Sequence, residues 1–385
     1  MGISSYIWNR SGRRSLSALA AMLAVLGLWL VPAMAQQSAE TFTIKNVSVD
    51  ATAASAAQAR DIAIADGERA ALTRLFDSMV LKSESAFLPS LDASQIAALV
   101  DGISVSDERV SRTRYLARLT VYFKAEEIRS LLQRAGIAFS ETISKPVLIM
   151  PVLQTAGFAT LWDNPNPWLA GWQSYDQSDS HAPFILPKGD AEEAASLSAS
   201  DVITGNPDTV AKLEKAYGVT DIYLAYADLH PDAYGAEEEL RVVIMRFGEN
   251  PAVLGDDILH PDPGLPPEQR VTAMLDTAVA EAVSEMQEAW KRQTQVIFGA
   301  EVSLSAVVPV TTLADWVRVK QKLERSPVVR AIDVESMTVH ETRIAIKYLG
   351  NTQQLALALA QSDLQLEQSP AGDWTITSIG AHASR

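Results

Sequence analysis

The chain has no cysteine among its 385 residues. That excludes disulfides, a thiol nucleophile, iron–sulfur ligation, Cys-based zinc sites and a lipid-modified N-terminal cysteine. Positive charge is scarce as well: 32 Lys and Arg stand against 47 Asp and Glu, so the formal net charge is 32 − 47 = −15. A protein that grips nucleic acid through phosphates needs the opposite balance, so no nucleic-acid partner is expected. Histidine is limited to five residues. No two of them lie at the i, i+4 spacing that places two metal ligands on one helix face. The chain also lacks a G-x-S-x-G elbow, an S-x-x-K with partner motifs, and a glycine-rich phosphate loop. The expectation is a protein without catalytic residues, cofactor or metal. What remains is ordinary globular composition, 48% hydrophobic and 21% charged.

The N-terminus carries a specific pattern. Arg10, Arg13 and Arg14 precede an apolar run from Leu16 to Val31, broken only by Ser17, and Pro32-Ala33-Met34-Ala35 follows. A basic start, an apolar core and small residues at the first and third positions before a cut predict a secretory signal peptide over residues 1–35, cleaved before Gln36. The alternative is an uncleaved N-terminal helix anchored in the inner membrane, although about 16 apolar residues fall short of the roughly 20 that span a bilayer. Removing residues 1–35 takes away three arginines and no acids, leaving −15 − 3 = −18. No other run approaches spanning length, so the mature chain is not expected to cross a membrane. A bacterial periplasm fits this export signal and the absence of cysteine.

Periodicity and punctuation divide the rest. Residues 36–144 read strand (Phe42–Asp50), helix (Ala53–Val80), short helix (Ala93–Val100), hairpin (Ile103–Val110 and Tyr115–Phe123) and helix (Glu126–Arg134), a small α+β module. Ala59, Ala63, Gly67, Ala70 and Ala71 make the face of the long helix small, which lets its backbone lie close to a sheet. Residues 145–250 open on the apolar run Val147–Leu153, expected of a strand buried on both faces, and continue as a partly parallel α/β sheet. Pro251–Pro267 is proline-rich and reads as a linker or extended crossing. With the amphipathic helix from Glu268 to about Val296 it makes a connecting unit, 251–297. Residues 298–385 read strand, helix, strand, strand, helix, strand and strand, predicting a ferredoxin-like module. The fold class is thus α+β with mixed α/β, two small α+β modules flanking a central α/β sheet. The outer modules share a hairpin-then-helix order but match poorly residue by residue, which leaves a duplication open.

Three of the six tryptophans beyond residue 35 fall within 11 residues, Trp162, Trp168 and Trp172, interleaved with Asp163, Asn164 and Asn166. Aromatics beside Asn and Asp on a stiff loop suit stacking on a sugar ring or clamping a peptide. The same residues also spell a helix entry, with Asn166 as cap, Pro167 at the first helical position and the indoles turned inward. His230-Pro231-Asp232 and His260-Pro261-Asp262 each pair an imidazole with a carboxylate in a proline turn. Turn composition explains both. Glu237-Glu238-Glu239 reads as a solvated hairpin.

Lys145-Pro-Val-Leu-Ile-Met-Pro-Val-Leu153 followed by Leu161-Trp-Asp-Asn-Pro-Asn-Pro-Trp168 resembles the proteobacterial secreted family catalogued as domain of unknown function 2066. The Ala59-Arg60 helix and the Tyr115–Phe123 strand are similar too, and the likeness spans most of residues 42–250. It implies a cell-envelope protein and brings no catalytic residues. The expectation is a periplasmic, non-enzymatic binding or scaffolding protein with an envelope protein partner. The alternative is a glycan or peptide binder that uses Trp162–Trp172.

Overall fold

The structure, a computed structural model, describes residues 40–231, 238–248, 251–296, 301–369 and 372–379. The expected signal segment, residues 1–35, lies outside them. Within them the chain is α+β, built on three separate sheets. None of the described helices is long and apolar enough to cross a membrane.

The first sheet has three antiparallel strands in the order β1-β3-β2, with β1 Thr43–Thr52, β2 Val100–Val110 and β3 Arg114–Phe123. Alternation sends Tyr115, Ala117, Leu119, Val121 and Phe123 of β3 inward under helix α1, Ala56–Met79. Ser55 caps α1 by accepting from the Gln58 N–H. Ala59, Ala63, Gly67 and Ala71 of the small face are buried as their spacing predicts, whereas Ala70 falls outside that face and is exposed. A Cβ on Gly67 would stand 2.6 Å from Leu119 Cδ1 and 2.8 Å from Val49 Cγ1, so only glycine lets the helix sit this low. Helices α2 (Ala93–Leu99) and α3 (Ala125–Arg134) complete the module.

The central sheet runs β5-β4-β7-β8-β9, with β6 beside β4. These strands are β4 Val147–Thr155, β5 Phe158–Thr160, β6 Phe184–Ile185, β7 Ile222–Pro231, β8 Glu238–Phe247 and β9 Ala252–Leu259. Strands β4 and β7 are parallel, whereas β7, β8 and β9 form an antiparallel meander. The first seven residues of β4 are all buried. Its two faces feed separate cores. One lies under helix α4 (Pro167–Ser174), the other under α6 (Ala199–Ile203) and α7 (Pro207–Tyr217), while α5 (Ala191–Ser196) buries no side chain.

The proline-rich stretch differs from its reading as a linker. Residues 252–259 form β9, paired with β8 from Leu240↔Leu259 to Arg246↔Ala252. The prolines flank the strand at Pro251 and Pro261 and leave every ladder N–H in place, so their density marks the strand's ends. Helix α8, Pro267–Thr294, likewise belongs to the central unit. Met274, Leu275, Ala278, Val279, Ala282, Val283 and Met286 are buried against its sheet.

The last two turns of α8 bind the other modules. Lys291 Nζ donates to the carbonyls of Asp77 (2.8 Å) and Val80 (2.7 Å), the unsatisfied C-terminal carbonyls of α1, and pairs with Glu288 at 2.5 Å. Glu288 in turn accepts from the Lys82 N–H. Trp290 Nε1 donates to Thr142 O, and Thr294 Oγ1 lies 2.6 Å from Ser140 Oγ. Toward the C-terminal module, Gln354 Nε2 donates to Gln295 O (2.6 Å), while Lys145 joins Gln361 and Asp363.

That module contains β10 (Val302–Pro309), α9 (Leu313–Glu324), β11 (Val329–Met337), β12 (Glu341–Tyr348), α10 (Thr352–Gln361), β13 (Leu364–Gln368) and β14 (Trp374–Ser378). Its sheet order is β11-β12-β10-β14-β13. A ferredoxin-like module would place the strand after its second helix directly beside β10 and antiparallel to it. Here β14 occupies that place, parallel to β10, and displaces β13 to the edge. The expected order therefore holds for β10-β12-β11 and fails on the other side, because β14 pairs antiparallel with β13 and itself fills the gap beside β10. The first module has the same β–α–β–β–α core in the same antiparallel order.

Lys291→Met should leave Glu288 buried without its cation and free two helix-end carbonyls. The expected loss is about 3–5 kcal/mol by urea unfolding, with part of it recovered in the Glu288→Gln/Lys291→Met double variant.

Candidate functional site

The tryptophan segment leaves β5 and enters α4 through an N-cap. Asn166 Oδ1 accepts from the Leu169 N–H at 3.0 Å, and Pro167 takes the first helical position. Helical spacing then puts Trp168 and Trp172 on one face, four residues apart. Both are fully buried, meeting edge-to-face at 5.7 Å between ring centroids, and Trp172 meets Phe184 at 5.2 Å. Trp168 Nε1 donates to Ala225 O of β7 at 2.9 Å. Gly171 lets the helix approach α8, where an added Cβ would lie 3.3 Å from Val279. These two rings wedge α4 between the sheet and α8. Neither turns a face to solvent.

Trp162 packs on the opposite side of the sheet, half-buried, and its Nε1 donates to Leu197 O at 2.6 Å. Asp163 and Asn164 are exposed, whereas Asn166 is buried as the cap. The six residues singled out in the sequence thus divide among two cores, a cap and an open turn. The structure does not bring them to one ligand-facing surface. The Asn-Pro helix entry and the i, i+4 tryptophans already carried this inward arrangement in the sequence.

The meander does gather a cluster that spacing alone conceals. His230 Nε2 lies 3.5 Å from Glu239 Oε1, and His260 Nδ1 lies 3.9 Å from Glu239 Oε2. Asp228 stands 4.0 Å from His230. Strands β7, β8 and β9 end together here, so one carboxylate of the acidic run faces both histidines; His230 and Pro231 are the last residues of β7, paired with Glu239 and Glu238, and not the turn their composition suggests. Asp262 instead closes its own turn by accepting from the Gly264 N–H, and Asp232 and Glu237 lie outside the described residues. Among the described residues no group of three such side chains could hold a metal ion.

Enclosed space is small. One cavity at the module junction, lined by Phe139, Thr142, Val296 and Val328, measures about 10 Å³, as does another beneath β9. Each has room for one water at most. His181 is buried beside α8: burial, with a lesser contribution from the Lys291 charge, pushes its pKa down to about 4.

Two outcomes follow from this geometry. Trp172→Ala should lose about 3–5 kcal/mol in urea unfolding, while Asp163→Ala and Asn164→Ala stay within about 0.5 kcal/mol. Because His181 titrates lower in the folded state than in the unfolded one, its contribution is complete above 6.5, the ordinary imidazole value, and declines as pH falls toward about 4. The urea midpoint of His181→Gln should therefore fall less steeply over that window than that of the parent chain.

No protein-family model matches the chain, and comparison with curated proteins finds no match in sequence.

Proposed function

We propose that the chain is a non-catalytic binding or scaffolding protein of the bacterial cell envelope, exported to the periplasm and acting by docking other proteins on its sheet edges. The observation that carries this reading is the number of edges left open among the described residues and held at fixed spacing. β2 and β9 end their sheets, as do β11 and β13, and α8 links all three modules by hydrogen bonds. An open edge offers a row of backbone donors and acceptors to an incoming strand. The segment over residues 1–35 and the resemblance of Lys145–Trp168 to a secreted family support the envelope setting. Nothing in the geometry favours the glycan- or peptide-binding alternative, since Trp168 and Trp172 are core.

A photo-crosslinking residue placed at Val105 on β2, Ile258 on β9 or Gln365 on β13, with Lys212 on α7 as control, tests the reading in living cells. Discrete higher-mass adducts from at least one edge position and none from Lys212 are expected. An absence of adducts at every edge would sink it. N-terminal sequencing of the exported chain should begin at Gln36.

A further inference from the structure

We infer that β9 is a docking edge for a cationic, amphipathic β-strand of a partner protein. This deepens the scaffolding reading and rests on it. Among the described residues, no strand and no backbone hydrogen bond meets the outer side of β9 over its eight residues. Cross-strand partners share a face, so the pairs with β8 sort its side chains. Gly255, Asp257 and Leu259 stand opposite Ile244, Val242 and Leu240, on the face covered by α8. Val253, Asp256 and Ile258 stand opposite Met245, Val243 and Arg241, on the other face.

The two faces differ in what they offer. On the α8 face, Asp257 is joined by Glu281 and Glu285 of the helix around the small cavity beneath the strand. None of these three carboxylates has a cation within ion-pair distance among the described residues. On the other face, Asp256 is already neutralised by Arg241 at 2.8 and 2.7 Å, while Val253 and Ile258 are each more than half exposed. An added strand alternates its side chains with period two. One set would be cationic, facing Asp257, Glu281 and Glu285. The other would be apolar, covering Val253 and Ile258.

The same charges argue against a second copy of this chain. Antiparallel pairing of two β9 strands about a two-fold axis would put both sets of three carboxylates on one side of one seam. Like charges brought together this way are destabilising. A basic strand removes that repulsion, and the uncompensated acids become its anchor.

The probe is a capped eight-residue peptide of alternating Lys and Val, carrying a fluorophore, titrated against the exported full chain. Its controls are an alternating Glu-Val peptide and a Lys-Val peptide N-methylated at alternate amides. Binding of Lys-Val at least about tenfold tighter than Glu-Val is expected. Asp257→Asn/Glu281→Gln/Glu285→Gln should weaken it about tenfold, and N-methylation or Ile258→Lys should abolish it. Absent binding, equal binding of both peptides, or affinity indifferent to the triple variant or to N-methylation would overturn the proposal. So would a concentration-dependent dimer that Ile258→Lys dissolves, which assigns the edge to a second copy. Crosslinks from Val105 or Gln365 but none from Ile258 would remove β9 while leaving the scaffolding reading intact. Selective peptide binding without crosslinks at any edge would do the reverse.

Discussion

Lys291 is the point on which the arrangement of the molecule turns. It sits near the C-terminus of α8, where a cation is favoured, and reaches the C-terminus of α1, where carbonyls are left without intrahelical partners. One ammonium thereby completes the end of a helix in another module. Burying it costs several kcal/mol unless its hydrogen bonds are met, and Glu288, Asp77 O and Val80 O meet them. A shifted contact between the modules would keep the burial and lose those partners, so the join specifies one register. A purely apolar contact would tolerate sliding.

With that join made, the rest of α8 can serve two masters. Its middle buries Met274 to Met286 against the central sheet, and its end delivers Trp290, Thr294 and Gln295 to the neighbouring modules. The outer modules share a β–α–β–β–α core but treat its first strand differently. In the C-terminal module β14 fills the place beside β10. In the N-terminal module β1 bulges at Asn46 and the Asp179 carboxylate meets it instead, accepting from the Lys45 N–H and pairing with Arg74 of α1. The equivalent edge is thus closed by a strand in one case and by a neighbouring module in the other.

Much of this was legible in the chain. Alternation in Tyr115–Phe123, the small face of α1 and the apolar run at Val147 each encode a local environment, and the elements formed where those patterns lie. Three features escaped because they depend on partners distant in sequence. The prolines around β9 looked like a linker because flanking and interrupting prolines have the same composition. The place of β14 depends on which gap the sheet leaves open, a property of assembled strands. The meeting of His230 and His260 at Glu239 needs the meander to bring three strand ends together. At the tryptophan segment both readings stood in the sequence, and packing against Val279 and Phe184 decides for the core.

The edges also show why acidity belongs with this architecture. A chain with several open strands risks pairing with its own copies, and folded proteins commonly block such edges with charge or bulges. β2 carries a bulge at Asp107, and β11 carries two register shifts. β9 has one irregularity, opposite Ile244 and Met245, and otherwise relies on carboxylates. Charge is a selective guard where a bulge is a general one. A bulge obstructs any partner by distorting the ladder, whereas acids repel a like strand and attract one of opposite sign. An acidic chain that keeps its edges apart by charge therefore stays separate from its own copies and still accepts a basic strand, and specificity comes from the same side chains that prevent self-association.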